Sequence, residues 1–381
     1  MKKSSRRTFL RKLVLGSDRR TLVVIFLRGG ADTLSMLVPV GDDQYFKIRP
    51  TLALSPRETS YRNLNDFYAL SREMAPLYPL YSQGKLLFIQ AVGSDNPSGS
   101  HFDAQDQIEH GSAFNQVVNG GWLARHIKKK TSTPLTSIAF EKMPESLRGA
   151  NASVITKIEE IALSNTTDGE SVRSALKALY ATDLLLRDSG ETTLALINKI
   201  ETLKNKVPKK TAAEYPSGLG VGLKEIARLV KADVGVEIAC IDMDGWDSHF
   251  FQAQGQPQRV SELVSALLAF EEDLRGHAVT TLVMSEFGRR SYENSSMGTD
   301  HGRGYAMFVM GDVAGGRVLG EYPSLLEEEP QGPGGMKVLH DYRQVLGEIL
   351  THHGETSLGQ VFPDFKFTPL GLFESNPKRI V

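Results

Sequence analysis

TLVVIFL, residues 21–27, is a continuous run of apolar and β-branched residues without a charge. Strands that are buried on both faces of a parallel sheet have this composition, whereas half-exposed strands alternate apolar and polar residues. The run leads directly into Arg28-Gly29-Gly30-Ala31-Asp32, and a glycine pair after a strand is typical of a tight turn. We therefore predict a central strand that ends at this turn.

Strands and helices alternate along the rest of the chain. Further strand-like runs occupy residues 85–92, 234–241, 279–284 and 305–310. Helices are predicted over residues 101–110, 256–275 and 341–352. This alternation predicts an α/β fold with a doubly wound, mostly parallel sheet. Residues 150–230 have helical periodicity and little strand character, so we predict a helical insertion there that caps the sheet.

Charge and cysteine content exclude several classes of protein. The chain has 44 Lys and Arg against 45 Asp and Glu, and a net charge of −1 gives no general attraction for nucleic acid. No run of about 20 apolar residues is present, so no membrane span is expected. The single cysteine, Cys240, rules out an internal disulfide and a cysteine-based zinc site. Any metal must therefore be held by histidines and carboxylates.

The first twenty residues differ from the rest because they are strongly basic. Ser4–Arg11 matches the twin-arginine export signal of bacteria. Such a signal also needs an apolar stretch of about 7–15 residues, whereas here only Leu13–Gly16 follows before Asp18. Two interpretations stay open: a signal recognised by the twin-arginine machinery, which makes the protein periplasmic, or a basic tail on a cytoplasmic protein. Residues 21–381 are predicted to form a single domain.

Polar residues gather where the predicted strands end. In open parallel sheets, ligands bind beyond the carboxyl ends of the strands. Carboxylates follow four of the strands, and some of these segments also contain histidine. The segments are residues 28–32, 98–103, 242–249, 285–289 and 298–302. The sheet would bring them to one edge.

Each of these residues also has a purely structural interpretation. Asp32 can cap the turn after the glycine pair. Ser100, with Asp103 three residues later, fits the capping box of a helix. Glu286 can pair with Arg289, and His301 can be an ordinary loop histidine.

The functional interpretation takes the residues together. Aspartate, glutamate and neutral histidine are ligands that suit Zn, Mn or Mg. Two such ions about 4 Å apart can hold the attacking and leaving oxygens of a displacement reaction. Ser100 would then be the nucleophile. The guanidinium groups of Arg28, Arg289 or Arg303 could hold a tetrahedral anion through paired hydrogen bonds.

Six segments, in order along the chain, resemble a bacterial family, the domain-of-unknown-function family 1501. They are LVVIFLRGGADTLSMLVPV (22–40), SHFDAQDQIEHG (100–111), GGWLARHI (120–127), DGWDSHFFQ (244–252), SEFGRRSYEN (285–294) and GTDHGRGYAMFVMGDVAGGRVLGEYP (298–323). The resemblance places the chain in the alkaline phosphatase-like (sulfatase-like) superfamily and implies that superfamily's α/β fold. It also implies export by the twin-arginine route.

The resemblance further implies a site and an activity. Relatives in the superfamily use a metal-bound Ser or Thr to attack phosphate or sulfate esters, which makes Ser100 the implied nucleophile and a small anionic ester the implied substrate. The implied metal ligands are Asp32, Asp247, His249, Glu286, Asp300 and His301. These roles are carried over by position after the strands.

One departure from the superfamily pattern leaves the number of metal ions open. Ser285-Glu286 stands where the superfamily usually has Asp-His, so one ion, two ions or anion binding without turnover are all compatible with the sequence. Two hypotheses follow: a metal-dependent hydrolase of phosphate or sulfate esters, and a catalytically silent anion-binding or assembly protein on the same fold.

Overall fold

The computed structural model describes residues 20–53, 61–128, 133–158, 169–182, 211–325 and 334–373, and the single residues 190, 194 and 197. The predicted signal or tail, residues 1–20, lies outside the described residues except for Arg20. Within the described residues, no helix has the length and apolar character needed to cross a membrane.

Nine strands of the described chain form one sheet, and three short strands form a second. The strands are β1 (Thr21–Leu27), β2 (Leu37–Val38), β3 (Arg62–Asn63), β4 (Ala69–Leu70), β5 (Leu86–Gly93), β6 (Ser137–Phe140), β7 (Ala152–Ile155), β8 (Ile238–Met243), β9 (Val279–Ser285), β10 (Tyr305–Met310), β11 (Arg317–Leu319) and β12 (His340–Asp341). The large sheet has the order β11-β5-β10-β9-β1-β8-β6-β7, and β12 pairs with β5. The small sheet has the order β2-β4-β3.

The large sheet is mostly parallel, as predicted. β1 pairs in parallel with β8 on one side and β9 on the other. β10 runs antiparallel to both of its neighbours, β5 and β9. The carboxyl ends of β1, β5, β8 and β9 and the amino end of β10 therefore share one edge, where Tyr305 at the start of β10 pairs with Val92 near the end of β5. Segments that follow the parallel strands meet there with the segment that precedes β10.

Helices cover both faces of the large sheet. They are α1 (Asp43–Ile48), α2 (Tyr78–Ser82), α3 (His101–His110), α4 (Trp122–Ile127), α5 (Gly169–Thr182), α6 (Leu219–Lys231), α7 (Gln252–Asp273), α8 (Tyr342–His352) and α9 (Leu358–Val361). Val23 and Ile25 of β1 pack in one hydrophobic cluster with α6 and α7. Leu22 and Val24 pack in the opposite cluster with α3, α4 and α8. Burial of β1 on both faces confirms the doubly wound architecture.

The predicted insertion, residues 150–230, divides between the main layers and the segment beyond them. β7 lies at its start and belongs to the large sheet beside β6. α6 lies at its end and contacts α7 and β8. Of the part between, the structure describes α5 and the residues at 190, 194 and 197, while residues 159–168 and most of 183–210 lie outside the described chain.

Candidate metal centre

Three segments at the shared edge supply the side chains of a polar cluster. His101 is the first residue of α3, which follows β5. Asp247 and His249 follow β8, and His301 precedes β10. The parallel course of β5 and β8 and the reversed course of β10 place all three segments at the same edge. We call His101, Asp247, His249 and His301 together the candidate metal centre.

The ligand atoms of His101, Asp247 and His301 all lie within 4.8 Å of one another, a spacing that could hold one metal ion, and His249 is a neighbour of this group of three. His249 Nε2 lies 2.9 Å from His301 Nε2 and 3.1 Å from Asp247 Oδ1. His301 Nε2 lies 3.3 Å from the same oxygen, and His101 Nε2 lies 3.5 Å from Asp247 Oδ2. Zinc held tetrahedrally at about 2.0–2.2 Å separates neighbouring ligand atoms by roughly 3.3 Å. The observed separations therefore bracket the value that one bound ion requires.

The other ring nitrogen of each histidine is bonded to an acceptor outside the centre. His101 Nδ1 lies 2.8 Å from Glu286 Oε1, and His249 Nδ1 lies 2.9 Å from Asp300 Oδ1. His301 Nδ1 lies 2.7 Å from the carbonyl oxygen of Gly99. Metal-binding histidines usually donate their second ring nitrogen to a carboxylate or carbonyl in this way. The cluster thus has the outer shell expected of a metal site.

These outer bonds determine where the ring protons lie. A carbonyl and a carboxylate only accept, so each Nδ1 carries a proton, and each ring in its neutral form would turn an Nε2 lone pair towards the centre. His101 Nε2 is buried and has no hydrogen-bond partner among the described residues. In those neutral forms His249 Nε2 and His301 Nε2, which lie 2.9 Å apart, would face each other as two acceptors. A shared cation satisfies three inward lone pairs and the Asp247 carboxylate at once.

Two close backbone approaches hold the segments together. A β-carbon on Gly29, which has a φ of +116°, would lie 2.5 Å from the backbone nitrogen of Asp247. A β-carbon on Gly302 would lie 2.4 Å from the carbonyl carbon of Arg289. Side chains at either position would push Asp247 away from the end of β1, or His301 away from the segment after β9. Glycine at these positions lets the ligand segments pack at main-chain distance.

Glu286 and Asp300, both predicted as ligands, form the outer shell. Glu286 is fully buried and accepts hydrogen bonds from the Gly29 backbone and from Gln105, besides His101. Burial alone would raise the pKa of Glu286, but hydrogen bonds from His101 and Gln105 outweigh it and hold the pKa below its usual value. Glu286 is therefore held as an anion that orients the His101 ring.

The groups bonded in and around the centre carry more negative charge than positive charge. A divalent cation would compensate for this excess. Asp247, Glu286 and Asp300 contribute three carboxylates. Arg289 is the guanidinium bonded to them, through Asp247 Oδ1 at 2.6 Å. Burial raises the pKa of Asp247, and the bond and charge of Arg289 reverse that shift and lower it. Burial alone would raise the pKa of Asp300, and the charge of Arg290 is among the interactions that lower it, so three carboxylates lie beside two guanidinium groups and leave an excess of one negative charge.

Asp32 is not brought into the centre. It is almost fully buried and pairs with Arg49, with 2.6 Å between Asp32 Oδ2 and Arg49 Nη1. The same oxygen accepts hydrogen bonds from Ser35 Oγ and Gln252 Nε2. In place of a metal ligand, Asp32 is the acidic half of a buried ion pair, because α1 carries the guanidinium of Arg49 to the end of β1.

The three predicted anion-binding arginines have different surroundings. Arg28 is bonded to Glu109 and Asp242. Arg289 is buried and directs its donors to backbone carbonyls of Gly29, Gly30, Trp246 and Thr299, besides Asp247. Arg303 donates from Nη2 to the Ser94 carbonyl and lines a cavity beside the centre. Of the three, Arg303 is the one whose side chain borders open space.

Ser100 lies at the start of α3, directly before His101. Its Oγ accepts a hydrogen bond from the Asp103 backbone at 3.4 Å, so the predicted cap is present. The bond is long, and Ser100 is partly exposed. A serine that caps a helix beside a metal ligand can serve both interpretations made from the sequence.

The centre is open to solvent on one side. The side chain of Asp247 is 47% exposed, and those of the three histidines are between 22% and 29% exposed. Phe102 and Phe250, each next to a histidine of the centre, are 87% and 71% exposed. Structural zinc sites are closed, whereas catalytic ones keep a position open. This exposure leaves room for a small ligand.

His101 is the residue of the candidate metal centre that the sequence prediction missed. It was included in the segment 98–103, but Ser100 and the capping pattern accounted for that segment without it. A usable signal was present: a histidine at the first position of a helix that follows a buried strand. Asp247, His249 and His301 were predicted and are brought together as expected.

Comparisons with known proteins give a family and two distant structural similarities. The sequence profile of the family described as "Protein of unknown function (DUF1501)" matches residues 141–343, just over half of the chain. This range contains Asp247, His249 and His301 but not His101. A comparison with curated proteins found no match.

The structural similarities are to two solved structures. The C-terminal periplasmic domain of EcEptC from Escherichia coli, in complex with Zn, is 10% identical with a TM-score of 0.37 and covers 78% of this chain and 73% of that chain. Alkaline phosphatase from the Antarctic bacterium TAB5 is 11% identical with a TM-score of 0.30 and covers 78% of this chain and 93% of that chain. Both are distant in sequence and in structure.

Proposed function

Because this chain belongs to the DUF1501 family of proteins of unknown function, its activity has to be inferred from its site, and we propose a metal-dependent hydrolase of small phosphate or sulfate esters. The observation that carries the proposal is the convergence of three Nε2 lone pairs and the Asp247 carboxylate, each ring fixed from outside by an acceptor. A divalent ion held there would act as a Lewis acid towards an oxygen of the ester.

The residues present favour one zinc ion. Two imidazoles and one carboxylate, from His101, His301 and Asp247, suit zinc and leave a fourth position for substrate, whereas magnesium prefers oxygen ligands and bound water. A second ion would need further carboxylates, but Asp32 is neutralised by Arg49 and Glu286 is bonded to His101. We therefore propose zinc among the metals predicted from the sequence. We also propose a single ion among the possible numbers of ions.

Ser100 is the proposed nucleophile. It stands between Gly99, which bonds His301, and His101 of the centre, so its backbone is held on both sides by the metal-binding residues. Attack by Ser100 Oγ on the phosphorus or sulfur atom would release the alcohol and leave a seryl ester, which water would then hydrolyse. The partial positive charge at the start of α3 would favour the anionic oxygen during attack.

Metal analysis combined with turnover tests the proposal. We expect about one zinc per chain in zinc-supplied protein, loss of zinc in His301→Ala, and hydrolysis of aryl phosphates or aryl sulfates. Ser100→Ala should keep zinc and lose turnover by a factor of roughly a thousand or more. His110→Ala, which changes a histidine at the far end of α3, is the matched control and should retain both properties.

Two results would count against this function. Zinc-free protein without Ser100-dependent turnover would eliminate the hydrolase and the metal centre together. Stoichiometric zinc without hydrolysis of any ester in the panel would favour the second hypothesis, a silent anion-binding or assembly protein. Localisation in the periplasm through the twin-arginine machinery stays a prediction, and fractionation of cells carrying Arg6→Lys/Arg7→Lys checks it.

A further inference from the structure

A side-chain amide, Asn294, contacts His249 and the acceptor of its ring at once. Asn294 Nδ2 donates one hydrogen bond to the carbonyl oxygen of His249 and one to Asp300 Oδ1, each at 3.0 Å. The same Asp300 oxygen lies 2.9 Å from His249 Nδ1. One amide nitrogen therefore joins the main chain of this histidine to the carboxylate that holds its ring.

The oxygen of the amide fixes its orientation. Asn294 Oδ1 accepts hydrogen bonds from the backbone nitrogens of Ser296 at 2.9 Å and Gly298 at 3.1 Å. A backbone N–H only donates, whereas a carboxylate and a carbonyl only accept. The amide oxygen must therefore face Ser296 and Gly298, and the amide nitrogen must face His249 and Asp300.

The main chains of the two segments are joined without this amide. The backbone N–H of Phe251 donates to the Ser296 carbonyl at 3.0 Å, and that of Thr299 donates to the Ser248 carbonyl at 3.1 Å. These bonds involve no side chain and hold the segments at main-chain distance. The contribution of the Asn294 amide nitrogen is therefore to the placement of side chains.

The Asp300 carboxylate is the side chain that gains most from this contact. It is 47% exposed, so its rotamer is not fixed by burial. Two donors on one oxygen, His249 Nδ1 and Asn294 Nδ2, hold it in one orientation. The bonded ring then keeps His249 Nε2 at 2.9 Å from His301 Nε2 and 3.1 Å from Asp247 Oδ1.

We infer that Asn294 is a positioning residue of the candidate metal centre, which holds Asp300 against His249 and so directs His249 Nε2 into the centre. The inference goes beyond the proposed function because it concerns the geometry of His249. It rests on that function only where zinc affinity is used to measure it.

Asn294→Asp separates the two halves of the amide. The new side chain keeps an acceptor for Ser296 and Gly298 but replaces the donor with an oxygen that repels Asp300 and the His249 carbonyl. In the metal-free full chain, NMR of the ring Nδ1–H of His249 should show a proton protected from exchange in the wild type. In the variant this proton should exchange about tenfold faster or more, because the bond to Asp300 is weakened.

Asn65→Asp is the matched control. Asn65 Oδ1 also accepts from two backbone nitrogens, those of Phe67 and Tyr68, so the same change is made in a similar turn away from the centre. The His249 signal should be unaltered in this variant.

Zinc affinity gives a readout that a role in the fold alone would not move in the same way. Outer-shell changes typically weaken metal binding by about 10-fold to 100-fold, and Asn294→Asp should have an effect of this size. In a His249→Ala background the same change should lose most of its effect, because the side chain through which Asn294 acts is absent. An equal loss in both backgrounds would overturn the inference.

Asn294→Ala keeps the inference testable if Asn294→Asp fails to fold. It removes the donor without adding a charge and should also expose the His249 Nδ1–H to exchange. A proton that stays protected in the folded variants, or one that is unprotected in the wild type, would overturn the inference. Loss of protection in a protein that binds no zinc would support the role of Asn294 and count against the proposed function.

Discussion

Two polar clusters lie at the same edge of the sheet and balance their charge differently. In the first, Asp32 is neutralised by Arg49, a residue of the same chain that is itself fully buried. In the second, His101, His249 and His301 turn lone pairs towards Asp247. The charge of the first cluster is balanced within the folded chain, although Asp32 Oδ1 is buried without a hydrogen-bond partner among the described residues. In the second, a cation from outside would bind the Asp247 carboxylate and the Nε2 atoms that surround it.

This difference in charge balance distinguishes a carboxylate that stabilises the fold from one that could bind a ligand. A buried carboxylate needs a cation, and a guanidinium that reaches it from the same chain balances its charge without a cation from outside. Burial alone would raise the pKa of Asp32, but Arg49 reverses this shift and holds the pKa below its ordinary value. Asp247 also has a guanidinium partner in Arg289, but it stays 47% exposed beside three imidazoles. Exposure together with inward-facing lone pairs distinguishes the second cluster.

Breaking the first cluster should have the largest effect on stability. Arg49→Met leaves the Asp32 carboxylate buried without its cation, so we expect the free energy of unfolding to fall by about 3–5 kcal/mol. Urea denaturation measures the change. Zinc content of the folded variant should stay at the wild-type level, because Arg49 contacts none of the four residues of the centre.

The double variant Asp32→Asn/Arg49→Met is the control for that change. Removing both charges should recover part of the lost stability, since the unpaired anion is gone. Equal stability of Arg49→Met and wild type would mean that the pair does not neutralise Asp32 as the distances indicate.

Weakening the outer shell of the second cluster should have an effect of intermediate size. The effect should be on zinc affinity and not on the stability of the fold. Glu286→Gln keeps the shape of the side chain but removes the anion that orients His101, and such changes typically weaken metal binding by about 10-fold to 100-fold. Competition with a chromophoric chelator measures the affinity. Asp32→Asn, a loss of charge at the same edge, should leave the zinc affinity unchanged; an equal loss in both variants would erase the contrast between the clusters.

The smallest effect is the dependence of stability on pH that Asp32 of the first cluster contributes. The folded pKa of Asp32 is depressed, so its contribution to stability is complete above the unfolded value of about 3.9 and is lost as the pH falls through the lower folded value. The stability difference between wild type and Asp32→Asn should therefore be flat from about pH 7 to about pH 5 and shrink below about pH 4. A difference that shrinks well above pH 5 would contradict the assignment.

Long apolar runs made most of the sheet predictable. Thr21–Leu27 is a strand with the predicted limits, and α3 begins and ends where the predicted helix does, before Gly111. β6 has four residues and β7 is partly exposed, so neither has the length or apolar continuity that reveals a strand. The reversed direction of β10 also leaves no trace in its own residues, because direction depends on the neighbouring strands.

The candidate site was predictable only where a pattern marks it. Asp247, His249 and His301 were found because they follow or precede strands at the shared edge. The pairing of Asp32 with Arg49 was not, because a contact between residues 17 positions apart on separate elements leaves no periodic signal.

The reversed strand β10 has a consequence for the order of folding events. His249 and His301 are 52 residues apart in the chain, whereas His101 and Glu286 are separated by 185 and Gly99 and His301 by 202. Contacts between distant residues close late because chain entropy opposes them. The four ligands therefore come together only near the end of folding. Zinc is expected to load onto a chain that has already folded, and not to guide its folding.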